Sequence, residues 1–127
     1  AFFQLVTTIL HAETEAEYST TKYKLHKLLT WLQEHCFEEH NWPQLAEKFH
    51  LTTRTAFRHI KEATGLTPDN YLKRLRLVSA RVKLRETDMT ITEVAYLCGF
   101  ANSNHFTTLY KKVFGLTPSE DRRRLLR

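Results

Sequence analysis

Two stretches of this chain repeat one another, and that repetition limits the folds open to it. Leu45-Ala46, followed after four residues by Leu51, recurs as Val94-Ala95 followed after four residues by Phe100. Ala56-x3-Ile60 recurs as Phe106-x3-Tyr110, and Gly65-Leu-Thr-Pro68 as Gly115-Leu-Thr-Pro118. The offset grows from 49 to 50 residues inside the turn, so the second turn is one residue longer. A supersecondary unit has been used twice.

Periodicity makes that unit helical. Glycine occurs only at Gly65, Gly99 and Gly115, and no run of Val, Ile and Thr alternates with polar residues for a strand's length. Apolar residues recur at three and four, which predicts an all-α fold of about seven helices. The first covers about 22–36, with Leu25, Leu28, Leu29 and Leu32 on one face. Asn41 as N-cap and Pro43 just inside predict a short helix over 42–49. Thr52 or Thr53 caps a third helix that ends at Gly65. A long helix then runs from Thr67-Pro68 to about 85, with Tyr71, Leu72, Leu75, Val78 and Val82 as its buried stripe. Helices over 91–98, about 103–114 and from 118 onward complete the second copy. The organisation expected is therefore a tail of an upstream domain or linker at 1–20, a first helix-turn-helix subdomain at 21–66, a linker helix at 67–86 and a second subdomain at 87–127. The opening ten residues are apolar without a basic leader and begin without Met, which reads as a piece of something longer rather than a signal peptide.

Charge is unevenly spread. Through Glu47 three lysines stand against seven glutamates, so of the net +5 the remainder of the chain carries +9. Such a surface attracts a polyanion. No run of about 18 apolar residues is present to span a bilayer. Two cysteines, Cys36 and Cys98, are too few for a disulfide scaffold and suit a reducing, cytoplasmic setting. His35, Cys36, Glu38, Glu39 and His40 form the one metal-like cluster, but their spacing matches no zinc pattern and straddles a helix end. Without a nucleophile motif, a phosphate loop or paired buried carboxylates, the chain reads as no enzyme, with no cofactor and no metal.

A helix-turn-helix explains the repeat. It needs a small residue where two helices cross, hence Ala46 and Ala95, and a turn residue at positive φ, met by Gly99 and, less comfortably, by His50. The second helix buries Ala56, Ile60 and Ala63 in one copy and Phe106, Tyr110 and Val113 in the other. Its opposite face is offered to the major groove. In the first copy that face holds Arg54, Arg58 and Lys61 or Glu62, with Thr53 at its start. By the repeat, Asn104 replaces Arg54, His105 replaces Thr55, Thr108 replaces Arg58 and Lys111 replaces Lys61, while Asn102 stands at the helix entrance. Arginine pairs with guanine O6 and N7, asparagine with adenine N6 and N7, and threonine meets a thymine methyl. The first helix should thus read a guanine-rich half-site and the second a looser one.

Plainer readings accompany these. Arg54 and Arg58 also fit a solvated face touching phosphates alone, Asn102 or Ser103 an N-cap, and His105 packing beside Phe106. Lys73, Arg74, Arg76, Arg81, Lys83 and Arg85 read as a mixture of solvated charges, acid pairs and phosphate contacts, and Arg122–Arg124 as a frayed, solvated end. The helix starts at Asn41 and Thr90 can offer backbone N–H groups to phosphate.

The segment Ile91-Thr-Glu-Val-Ala95-Tyr-Leu-Cys-Gly-Phe100-x5-Phe106-x3-Tyr110-Lys-Lys-x-Phe114-Gly-x-Thr-Pro118 resembles the C-terminal signature of the AraC/XylS family of bacterial regulators. The resemblance implies a seven-helix domain whose two helix-turn-helix units are bridged by a rigid helix, most often in a transcriptional activator. It carries base-contact roles onto Arg54, Arg58, Asn102 and Asn104. Tyr71-Leu-x-Arg74-Leu-Arg76-Leu, Ala80-Arg81 and Asn102-Ser-Asn-His-Phe106 are most similar to the rhamnose-responsive members. The partners implied are promoter DNA, RNA polymerase (with Glu93, on the first helix of the second unit, as a contact) and a sugar effector bound by an upstream, dimerising domain. The fragment itself would be a monomer whose recognition helices enter successive grooves about 34 Å apart. An effector-independent stress-type activator is the alternative within the family. A helical protein–protein adaptor is the alternative outside it, and that one does not predict the basic asymmetry.

Overall fold

A computed structural model describes residues 20–125, with side chains through Arg124; the expected upstream tail lies outside the described residues but for its last one. Seven helices and no strand occur among these residues: α1 over 20–34, α2 Trp42–Lys48, α3 Thr53–Thr64, α4 Pro68–Glu86, α5 Ile91–Leu97, α6 Ser103–Phe114 and α7 Pro118–Leu125. They fall into two compact units. The first holds α1, α2 and α3, and the second holds α4 to α7 together with residues 35–39.

In the first unit the core is Leu28 and Leu32 of α1, Leu45 and Ala46 of α2, and Ala56 and Ile60 of α3. Asn41 caps α2 by accepting the Gln44 N–H at 3.1 Å, and Pro43 is the second residue of the helix. Trp31 packs edge-on to Phe49, with the Lys48 ammonium 4.3 Å from the Trp31 ring centre. Two expectations need correcting. α1 stops at residue 34, two short of the boundary read from the sequence, because residues 35–39 belong to the other unit. Ala63 is exposed, because in the last turn of α3 it borders an open groove, lined also by Thr21, Lys22 and Leu25 of α1, that no side chain fills.

The second unit is built around α4, which packs against α5 and α7. Its core gathers Leu77, Ala80, Leu84, Val94, Ala95, Cys98, Phe100, Phe106 and Tyr110. The aromatic rings run in a chain, Phe100 to Phe106 to Tyr110 to Phe114, at centroid spacings of 5.1, 5.7 and 4.6 Å. Here the expected stripe of α4 is largely wrong. Val78 and Val82 are 49% and 45% exposed, Tyr71 and Leu75 are half-buried, and the buried set is Pro68, Leu72, Leu77, Ala80 and Leu84. α4 is apolar along two stripes, and Ala80 marks the one where small size lets another helix close in.

Polar side chains tie this unit together. Arg76 donates from Nε to the Cys36 carbonyl at 2.5 Å and from Nη2 to the Glu38 carbonyl at 2.9 Å, which fixes residues 35–39 on α4. Arg122, expected in a frayed end, instead donates to the Leu84 and Thr87 carbonyls at 3.3 and 3.4 Å and so closes the C-terminus of α4. Arg123 and Arg124 are exposed, as expected. Asp121 is buried and accepts the Tyr110 hydroxyl. The same carboxylate oxygen lies 3.3 Å from Arg81 Nε, an ion pair rather than an aligned hydrogen bond.

Candidate nucleic-acid interface

The two turns are near copies. Leu51 N–H reaches the Ala46 carbonyl at 2.9 Å in one, and Phe100 N–H reaches the Ala95 carbonyl at 2.9 Å in the other. The residue before each is at positive φ: His50 at 58° and Gly99 at 85°. Non-glycine residues seldom adopt that conformation, and histidine is among those that tolerate it. Gly99 has a second reason to lack a side chain. A Cβ there would stand 3.1 Å from the Phe37 carbonyl oxygen and 3.0 Å from Arg76 Nε.

Each second helix is then started and stopped by local chemistry. Thr52 Oγ1 accepts the Thr55 N–H at 3.1 Å, and Asn102 Oδ1 accepts the Asn104 and His105 N–H groups at 2.7 and 3.3 Å. At the far ends the Gly65 and Gly115 N–H groups bond to the Lys61 and Lys111 carbonyls, both at 2.8 Å. α3 and α6 therefore have matched lengths and matched faces.

With Ala56 and Ile60 buried, a turn of about 100° per residue sends Arg58, Arg54 and Lys61 outward, and all three are exposed. Among the described residues neither Arg54 nor Arg58 has an acidic or hydrogen-bonding side-chain partner. Glu62, the one acid on this helix, has its carboxylate 3.4 Å from His59 Nδ1. Thr53 is half-buried at the first helical position and turns toward the Ile60 side, away from the arginine face. In α6, Phe106 and Tyr110 are fully buried while Asn104, His105, Thr108 and Lys111 are exposed. Thr108 Oγ1 donates to the Asn104 carbonyl at 2.9 Å, so its hydroxyl is occupied by its own helix. Asn102 is an exposed N-cap whose amide nitrogen is not used by that cap.

Glu93 is exposed on α5, and its carboxylate closes a capping box by accepting the Thr90 N–H at 3.1 Å. The Thr90-x-x-Glu93 spacing announces that box, a signal the sequence reading passed over. Phe57 was passed over too: it is 39% exposed on α3, with its ring edge-on to Trp42. Neither cysteine behaves as a site. Burial pushes the Cys98 thiol up to about 11 and raises Cys36 as well, so both stay protonated and act as small apolar filler. Among the described residues no three His, Cys, Asp or Glu side chains gather as a metal would need, and no helix is long and apolar enough to cross a membrane.

Comparison with known proteins agrees with this geometry. Residues 45–124 match the profile of a helix-turn-helix domain. The chain is 44% identical over 121 residues to the HTH-type transcriptional activator RhaS of Salmonella schwarzengrund (strain CVM19633), covering 95% of this chain and 44% of that protein. Against the activator RhaS of Escherichia coli (strain SE11) it is 41% identical over the same shares. The chain thus spans less than half the length of these relatives. Among solved structures, an AraC-type regulator from Chromobacterium violaceum superposes with a TM-score of 0.78 at 27% identity, over 86% of this chain and 97% of that one. The DNA-binding domain of AdpA, solved with a target DNA, superposes with a TM-score of 0.71 at 27% identity, over 79% and 90%.

Proposed function

Since the chain belongs to the AraC-type helix-turn-helix DNA-binding domains of transcription regulators, and so is not an enzyme, we propose that it reads promoter DNA through the outward faces of α3 and α6. The observation that carries this is the face of α3, where Arg54, Arg58 and Lys61 stand exposed and the two arginines lack a partner among the described residues. Long cations left without acids on the second helix of a helix-turn-helix suit guanine edges and phosphates. On α6 the set is Asn102, Asn104, His105, Thr108 and Lys111. Because the Thr108 hydroxyl is held by the Asn104 carbonyl, Thr108 offers its methyl, and a thymine is its natural target. Lys61 and Lys111 serve as phosphate contacts near the helix ends. Thr53 ranks lowest, given its burial.

The wider role follows from the RhaS relatives and from the fragments similar to rhamnose-responsive members: an activator of sugar-catabolism genes, working on the nucleoid in the cytoplasm. An upstream domain would bind the sugar, rhamnose by that likeness, and provide any dimerisation. Glu93 would meet RNA polymerase. Its part in the α5 cap means that an activation defect in Glu93→Ala counts only if the variant keeps its stability.

A footprint on promoter DNA, followed by binding assays on that duplex and on unrelated DNA, tests the reading. Arg54→Ala and Arg58→Ala should each weaken the specific duplex roughly tenfold to a hundredfold while sparing unrelated DNA. Equal losses on both would reduce the arginines to phosphate contacts. Affinity for either duplex should fall steeply with salt, through counterion release.

A further inference from the structure

Phe57 is a large apolar side chain at the edge of a face otherwise made of cations. It is 39% exposed, although Ala56 and Ile60 beside it are buried completely or nearly so. Around the helix axis it stands about 60° from Arg54 and about 40° from Lys61. Along the axis it lies between the two arginines, one turn beyond Arg54. The Trp42 ring meets it edge-on at 6.0 Å and 88°, which buttresses it from the core side. The core below is already filled, so Phe57 stays at the rim of the arginine face. Its counterpart in α6, by the repeat, is the half-buried Thr107.

Resting on the reading of α3 as a recognition helix, we propose that Phe57 is a specificity-determining residue that packs on the C5-methyl of a thymine next to the guanine contacted by Arg54 or Arg58. The base edges on the floor of the major groove present mainly hydrogen-bond donors and acceptors, and the thymine methyl is the most prominent apolar group among them. A phenylalanine cannot serve polar edges, and covering a methyl removes apolar surface of both partners from water. Trp42, which is behind Phe57, is then a positioning residue.

The test uses a duplex recovered by selection from a randomised pool with the intact chain. Each thymine of that duplex is replaced in turn by deoxyuridine, which differs only by the missing methyl. One position should weaken wild-type binding about three- to fivefold. The same replacement should have no effect on Phe57→Ala, and Phe57→Leu should keep part of it. The deoxyuridine series on the wild-type protein needs no variant to fold, and a thermal melt checks the variants. If no replacement weakens the wild type, or if wild type and Phe57→Ala lose equally at every position, the proposal is overturned. Arg58→Ala on the same duplex separates the two levels. Discrimination by Arg58 without discrimination by Phe57 removes this inference alone, whereas discrimination by neither removes the recognition role of α3 as well.

Discussion

The hydroxyl of Tyr110 donates to Asp121 Oδ2 at 2.5 Å, and both residues are shut off from solvent. A carboxylate in that position survives because Tyr110 and Arg81 both serve one of its oxygens. Burial and the acceptor carboxylate together raise the Tyr110 hydroxyl above its usual range, which keeps it a donor. Replacing Asp121 by Ala should strand the hydroxyl and the guanidinium and destabilise the second unit by about 2–4 kcal/mol. Tyr110→Phe, which leaves Arg81 in place, should cost about 1–2 kcal/mol. Urea denaturation of both variants checks the order, and equal losses would show that Arg81 contributes nothing.

The two turns predict opposite responses to the same idea. Gly99→Ala combines a left-handed backbone with a Cβ driven against the Phe37 carbonyl, and should cost about 2–4 kcal/mol. His50→Gly relieves a positive φ instead and should stabilise the first unit by up to about 1 kcal/mol. Thermal melts report both signs, and a destabilised His50→Gly would mean that the imidazole makes up for its backbone.

Asn102 caps α6, and substitution can separate that cap from the DNA contact proposed for it. Asn102→Asp preserves the acceptor for the Asn104 and His105 N–H groups, so stability should change by less than about 0.5 kcal/mol. It removes the amide donor and adds a negative charge to the face proposed to meet DNA, so specific binding should drop at least tenfold. Asn102→Ala should lose about 1 kcal/mol of stability with the cap. Unchanged DNA affinity in Asn102→Asp would leave Asn102 as a cap and nothing more.

Cys98 gives the second unit a pH signature. Its thiol ionises near 9 when exposed and near 11 in the fold, so the folded state holds the proton more tightly. The stabilisation is complete below pH 9 and disappears as pH rises through about 11, an amount of about 2–3 kcal/mol. Urea midpoints at pH 8 to 11 should fall less steeply for Cys98→Ala than for the wild type.

The helices and turns were legible because their signals are local. Asn41, Thr52 and Asn102 cap where a polar side chain can reach the second or third N–H, and Gly65 and Gly115 end α3 and α6 within one turn. The outward faces were legible for the same reason, since buried Ala56 and Ile60 fix the direction of Arg54 and Arg58. What failed depends on partners distant in the chain. α4 carries two apolar stripes, and only the helices that pack on it decide that Leu77, Ala80 and Leu84 go in while Val78 and Val82 stay out. Arg122 looked like one of three equivalent arginines until its carbonyl acceptors, more than thirty residues upstream, came into view. Phe57 escaped because an aromatic residue beside a core position reads as core, and exposure is visible only in coordinates.

Arg76 has an effect on how this protein can be dissected. By holding the carbonyls of Cys36 and Glu38, it places a five-residue loop from the N-terminal half inside the unit that otherwise begins at Pro68. The backbone therefore changes unit three times, and no single cut yields both pieces intact. A truncation starting at Pro68 would uncover Gly99 and leave Arg76 without its acceptors, so half-proteins made at that junction would misreport what each half does alone.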